Sequence, residues 1–593
     1  MRGAFVAALT VVACRESVTA SQIVVVISTD IDVPGGIDGF TARVQEGDGG
    51  AVVSNRSFLI GAGAGSVVLP ASFGVAPRQG DASRIVTIEV DATLGGATLF
   101  STRALTSFLQ DRTLRLDMFL ASRCIDEAET CREDETCRRE GCVPAEIEPG
   151  DLPGFDEDAV ERAKSFGDEG TEYPFGMGLD AAGNVYLAGH FAGSVPFGAD
   201  GELLTAAAEP DVFVASIAPD GSNRWGVGYD VGGGDGVAIA VDPSGHSYTT
   251  GNFTRSFDVG DISLVNEDGS TQQIFLAGLH EDGGPNFAAR STGTAGQGRS
   301  ATAIGASGES VVLGGHFDSD LDFGARHVET LGDWEESFLA RFDPKGAPDW
   351  SCPLHRSTGG GGDARITAIH FSGDQLAVAG YYAGRMNFGV DAYDQLGGTE
   401  GGYVATFLGD CQQGVVLRLP SEGDNRPLAI AADGTGGLVV GKATSALDVA
   451  DARGVYAGGE DAFAARYRAD ATAEWAWIFG ADEYDEAAAT AALPDGSYLV
   501  AGSFHGRMTL GDVTLQSAGG SDAFVVEIDR NGDPQWGRAL GGTDDDAAVA
   551  VALDPDGLVV VAGSYSGFVA SFGTQTLRAD PGPKTFVYWF TRP

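Results

Sequence analysis

Apolar residues in this chain come in short runs bounded by glycine, aspartate and proline turns, the pattern of β-strands rather than of helices. One run recurs. It ends in glycine, and an aromatic follows one residue later. It reads Val185-Tyr-Leu-Ala-Gly189-His-Phe191 the first time and Val559-Val-Val-Ala-Gly563-Ser-Tyr565 the last. The anchoring glycines are Gly189, Gly251, Gly315, Gly380, Gly441, Gly502 and Gly563, at spacings of 62, 64, 65, 61, 61 and 61 residues. A fixed period of that size marks a repeat architecture, in which each unit buries its apolar face against its neighbours.

Each repeat holds four strand-like pieces, clearest in the sixth: Ala487–Leu493, Ser497–Gly502, Asp522–Ile528 and Trp536–Leu540, with turns at Pro494-Asp-Gly496 and Asp529-Arg-Asn-Gly532. The pattern predicts a seven-bladed β-propeller over residues 159–593. The small first strand suits the crowded axis, and bulky residues suit the wider gap between blades. An aromatic recurs in the third strand (Phe213, Phe275, Phe338, Tyr403, Phe463, Phe524, Phe586) and in most fourth strands (Trp225, Phe287, Trp350, Trp475, Trp536). These are read as core between blades. The seventh repeat ends without a fourth strand, while Val160–Gly167 has the form of one and no blade of its own. It is expected to complete the last blade and close the ring, so that deleting residues 159–167 sharply destabilises the domain.

Upstream, Ile23–Ser28, Phe40–Gln45, Ile85–Val90 and Leu114–Leu120 read as strands of a small β-sandwich over residues 23–123. A cysteine-rich module follows at 124–142, then an acidic, proline-rich linker at 143–158. The whole is expected to be all-β.

Lys plus Arg number 37 against 84 Asp plus Glu, a formal charge of −47. Such a surface repels phosphate backbones and excludes nucleic acid as the expected partner. Its plainer meaning is solubility in an external medium. Residues 1–13 carry one arginine before an apolar run too short to span a bilayer, which fits a secretory leader. Val11-Val-Ala-Cys14 resembles a lipobox, which would make Cys14 the lipidated N-terminus, residues 14–22 a tether, and the lipid the sole membrane contact. The rival reading is cleavage after Ala20. Six cysteines then remain for an oxidising compartment: Cys124, Cys131, Cys137 and Cys142 in one cluster, with three pairings open, and Cys352 and Cys411, which can pair with each other. The cluster lacks the close cysteine pairs of a zinc site at all but Cys137 and Cys142.

Acidic residues precede the first strand of six repeats: Glu172, Asp235, Asp363, Asp424, Asp485 and Asp545, with Arg299 near the third. The sharp reading is a negative funnel for a cation such as Ca2+ or for a basic ligand. The plainer one is that Asp and Gly make the turn. Asp318, Asp320 and Asp322 mimic an EF-hand by spacing, but Phe323 stands where that loop needs glycine. No nucleophile elbow, phosphate loop or zinc-protease motif is present.

Acidic loops, D-x-x-G turns and V-Y-x-A-G and D-x-F-V-A strands, best seen at 235–252, 485–504 and 545–565, are similar to the bacterial seven-bladed propeller repeats called SBBP repeats. The fifth repeat departs most, with Gly441-Lys-Ala-Thr. The N-terminal parts resemble those of lipoproteins from large-genome predatory bacteria. The resemblance implies a secreted or surface protein; with no catalytic motif in the chain, the expected protein is a monomeric, secreted or outer-membrane lipoprotein that binds, adheres or scaffolds without chemistry or cofactor, its partner a surface protein or glycan. The alternative is a hydrolase or lyase at the channel mouth, with His370 as its axial histidine.

Overall fold

The computed structural model describes residues 21–593 except 61–70, 153–160, 355–362 and several segments of up to four residues; Cys14 and Asp235 lie outside the described residues. Among the described residues the chain is all-β apart from a four-residue helix, Cys124–Glu127; it divides into two compact units, Met1–Ala159 and Val160–Pro593.

In the first unit, Gln22–Thr29 lies between Ala71–Val75 and, in parallel, Thr113–Leu120. A second, antiparallel sheet runs Val52–Leu59, Gly39–Glu46, Val86–Leu94, Ala97–Thr106. Alternate residues of both sheets, among them Ile23, Val25, Phe40, Ile88, Val90, Leu116 and Met118, share one core. Cys124 and Cys137 are buried in that core and bonded to each other, and Cys131 is bonded to Cys142. Each bridge closes a short loop, with separations of 13 and 11 residues. Replacing Cys124 and Cys137 by alanine is expected to cost the first unit about 3 kcal/mol, read from its urea midpoint. The segment expected to be a linker from 143 is tied down at its start. Ala145 accepts from the Leu105 N–H and Ile147 donates to the Leu105 carbonyl, so these residues cover an otherwise open sheet edge.

Among the described residues the second unit contains seven sheets each built on four antiparallel strands, numbered I to VII in chain order; Ala452–Gly454 adds a fifth, parallel strand to sheet V, and Ala570–Phe572 with Gln575–Leu577 extends sheet VI. Their first strands are Thr171–Leu179, Ala238–Val241, Ser300–Ser307, Ala364–Ser372, Asn425–Ala432, Glu486–Ala492 and Ala547–Leu553. Each lies beside the first strand of the next sheet, and that of sheet VII lies beside that of sheet I. Sheet VII takes its fourth strand from the start of the unit. Glu161–Phe166 pairs antiparallel with Lys584–Thr591, from Glu161 opposite Phe590 to Phe166 opposite Thr585.

The pairing explains the repeated glycine. Every anchoring glycine faces the third-strand aromatic of its own sheet, from Gly189 opposite Phe213 to Gly563 opposite Phe586. All seven aromatics are fully buried. On its other side, in sheets I and III to VII, the glycine meets a bulge in the first strand, where the backbone presses close. A Cβ on Gly502 would stand 1.9 Å from the Glu486 carbonyl oxygen. Glycine is therefore required by space, and the ring opposite fills the volume a side chain would have taken. Gly502→Ala is expected to destabilise the unit by about 1–3 kcal/mol, the cost of overpacking, read from its thermal unfolding.

Outer-strand aromatics join neighbouring sheets. Trp225 of sheet I donates its indole N–H to the Glu281 carbonyl in a turn of sheet II (2.8 Å), and Trp475 of sheet V does the same to Arg530 of sheet VI (3.1 Å). Cys352 of sheet III is bonded to Cys411 of sheet IV. At the C-terminus Arg592 pairs with Asp495 and Glu527 of sheet VI. Burial pushes the Asp495 carboxyl up, but the hydrogen bonds from Ser497 and Arg592 outweigh it and bring its pKa down to about 2 from 3.8. The ionised form is thus favoured by folding. Its contribution is complete above pH 3.8 and disappears as pH falls through about 2. Because Asp495 is half-exposed, Asp495→Asn should flatten the acid limb of stability against pH by less than about 1 kcal/mol.

Candidate ligand-binding surface

Each first strand begins, and each second strand ends, at the same end of its sheet. Two positions there face each other across the hairpin: the residue just after the anchoring glycine, and its partner on the first strand. The pairs are Tyr173 with His190, Ser300 with His316, Arg365 with Tyr381, Arg426 with Lys442, Glu486 with Ser503, and Ala547 with Ser564. Residues in register across a hairpin project from the same face, so each pair acts as one patch.

These patches connect from sheet to sheet. Asn252 of sheet II donates to the Ser300 hydroxyl of sheet III at 2.9 Å. His316 of sheet III sits in the field of Arg365 of sheet IV. The Arg426 guanidinium of sheet V lies 5.6 Å from the centre of the Tyr381 ring of sheet IV, a cation–π distance. Lys442 of sheet V stands 3.4 Å from Glu486 of sheet VI. The result is an arc of polar side chains across sheets II to VI.

Three glutamates at equivalent positions, three residues before the third-strand aromatics Phe338, Tyr403 and Phe463 of sheets III, IV and V, complete it. Glu335 accepts from Arg365 at 2.7 and 3.1 Å, Glu400 accepts from Arg426, and Glu460 pairs with Lys442 at 2.9 Å. The arc thus alternates cation and carboxylate, with side chains between 22% and 39% exposed. Burial opposes the charge on Lys442, yet the hydrogen bond to Glu460 and the field of Glu486 hold its pKa above the ordinary lysine value. Burial, reinforced by Arg365, pushes His316 below its ordinary value, so it is neutral at pH 7. Three cations packed together stand out in a chain of such negative charge.

The acidic residues expected to form a funnel occupy two different positions. Glu172 and Asp485 lie two residues before the partner of the anchoring glycine and are buried. Asp485 accepts from the Ala481 and His505 N–H groups at 2.6 and 2.7 Å, and burial raises its pKa. Glu172 stands 4.0 Å from the buried Lys584. These two tie loops and sheets together. Asp363, Asp424 and Asp545 stand one residue earlier. Asp424 accepts from the Glu400 N–H and the exposed Asp545 from the Ser521 N–H. Asp546, beside it, repeats the role of Asp485 on the N–H groups of Gly542 and Ser566. Asp318, Asp320 and Asp322 bond separately to Gly298, Thr330 and His327. Among the described residues no group of three or more His, Cys, Asp or Glu side chains could hold a metal ion. His370 is half-buried on the first strand of sheet IV, and burial lowers its pKa.

At the other end of the same hairpins, first-to-second-strand turns of sheets I, II, VI and VII line a cavity of about 720 Å3. Its walls include Leu179, Val241, Leu553 and Pro555, with Asp180, Asp554 and Asp556. Asp180 is committed to its own turn, accepting from Ala182, Asn184 and the Tyr186 hydroxyl.

Neither a protein-family model nor a curated protein matches the chain in sequence. Solved structures similar to it include a protein of unknown function from Dyadobacter fermentans DSM 18053, at 10% identity and a TM-score of 0.34, covering 73% of this chain and 99% of that one. The hemagglutinin-neuraminidase ectodomain of parainfluenza virus 5 is 7% identical, with a TM-score of 0.31 over 61% of this chain and 81% of that one. NanB, solved with Optactamide, is 9% identical, with a TM-score of 0.33 over 96% of this chain and 94% of that one.

Proposed function

We propose that residues 160–593 form a seven-bladed β-propeller of the SBBP type, each sheet one blade with its first strand at the axis. The first unit is a β-sandwich stapled by its disulfides. The protein acts as a binding or scaffold component outside the cytoplasm, without chemistry of its own. Lipidation at Cys14 would hold it to the envelope. Three disulfides support folding in an oxidising compartment.

One observation carries the binding reading. The glycine–aromatic pair is the same in all seven sheets, but the residue after the glycine is different in kind around the ring: His190, Asn252, His316, Tyr381, Lys442, Ser503, Ser564. In a repeat array, positions that stay alike build the fold. Positions that differ along one face are where recognition is written. Capture of extracellular polymers and envelope fractions by the immobilised full-length protein tests this. Arg365→Ala and Arg426→Ala should each weaken capture by about tenfold, the loss of one charge-assisted contact, while Asp556→Ala at the opposite end leaves it unchanged. Equal capture by all three variants would contradict the reading.

A further inference from the structure

Resting on that reading, we infer that the arc from Ser300 to Glu486 takes an uncharged, polyhydroxylated ligand, a neutral glycan chain. Its three cations, Arg365, Arg426 and Lys442, are each already paired with a carboxylate: Glu335, Glu400 and Glu460, with Glu486 also beside Lys442. An anionic ligand would have to displace those carboxylates. A cationic ligand would meet the three cations. Either exchange forfeits charge-assisted hydrogen bonds already made.

A hydroxyl group needs neither exchange. It accepts from a guanidinium or ammonium and donates to a carboxylate at once, so an intact Arg–Glu pair offers a donor beside an acceptor to neighbouring hydroxyls. The arc repeats that offer three times in succession. It also adds the Ser300 hydroxyl at one end, oriented by the buried Asn252 amide. These side chains are partly exposed yet fixed by their partners, so ordering them on binding costs little. An extended peptide is a poorer occupant, because peptide recognition of this kind uses the main-chain ladder of an open strand edge. The arc consists of side chains at the ends of paired strands.

The test is affinity electrophoresis and calorimetry of the full-length protein with two probe sets. One is neutral polysaccharides (β-glucan, xylan, galactan); the other is anionic ones of similar length (alginate, polygalacturonate). Retardation by a neutral polymer is expected, changing less than about twofold between low and high salt because no net charge is exchanged. Arg426→Ala and Glu400→Gln should each weaken it at least about tenfold. Thermal unfolding of each variant guards against reading a folding defect as lost affinity, and Asp556→Ala, at the opposite end of the hairpins, should bind as the parent does. Binding confined to anionic polymers, steeply salt-dependent and lost in Arg426→Ala, overturns the ligand class and leaves the binding surface standing. Retention by either set that is the same in Arg426→Ala and Glu400→Gln overturns both, as does no retention by any polymer.

Discussion

Removing Glu161–Gly167 abolishes cooperative unfolding of the second unit, which instead melts broadly and at a much lower temperature. Sheet VII keeps three strands without this segment, and Lys584–Thr591 becomes an open edge. The segment supplies more than a ladder. Phe166 is buried and stacks on Phe197 of sheet I, with ring centres 5.3 Å apart. Lys164 donates to the Gly221 carbonyl and the Asn223 side chain of sheet I at 2.5 and 2.7 Å. Glu161 accepts from Arg538 of sheet VI at 2.9 Å and from Tyr588 at 2.7 Å. Six residues therefore hold sheets VI, VII and I together. Burial of Phe166 alone is worth about 2–3 kcal/mol, and each ladder hydrogen bond exchanged for water costs about 0.5–1.5 more. Their sum rivals the full stability of an ordinary domain. Phe166→Ala, which keeps the ladder, should cost about 3–5 kcal/mol by itself. Calorimetry of the deletion and of the point variant checks both, and a parental transition in the deletion would show that the seam is not structural.

Lys584→Met is the second large effect, an expected loss of about 3–5 kcal/mol. Lys584 and Glu172 are 2% and 0% exposed and face each other across the seam between sheets VII and I. The Lys584 ammonium also donates to the Gly170 carbonyl. Removing the cation strands a buried carboxylate, which is far costlier than the pair itself is beneficial. Glu172→Gln should cost less, because the amide can stay hydrogen-bonded, and combining both changes should cost less than their sum. Urea midpoints of the three variants check this. Additive losses would mean that the two groups do not act as a pair.

The repeat, its strands, the anchoring glycines and the closing segment are legible in the sequence because each is a local pattern at fixed period. The reason for the glycine is not. It depends on the first-strand bulge, and a one-residue shift in pairing leaves no mark in composition. The same bulge misleads the reading of the acidic loops. Asp545 attracts attention, while Asp546 makes the buried bonds. In sheet V the buried position is Asn425, next to Asp424, and in sheet IV it is Ala364, next to Asp363. The small hairpins between second and third strands, such as Arg507–Leu510 with Val513–Gln516, also pass unnoticed, because their strands are too short to show alternation. The arc is the largest omission. Lys442 marks the repeat that departs most from its siblings and reads as decay of the motif. Only when Glu460 and Glu486 stand beside it does the departure gain a role. His190 and His316 share one repeat position, but a contact between neighbouring sheets has no trace in the spacing.

Replacing Arg365, Arg426 and Lys442 together by alanine, and measuring ligand capture and thermal unfolding on the same sample, tests the central claim most directly. Capture should disappear while the transition moves by only a few degrees, because partly exposed ion pairs are worth about 0–1 kcal/mol each. Retained capture with a fall in unfolding temperature as large as that of Lys584→Met would contradict the account. The arc would then be a staple between sheets and not a surface for recognition.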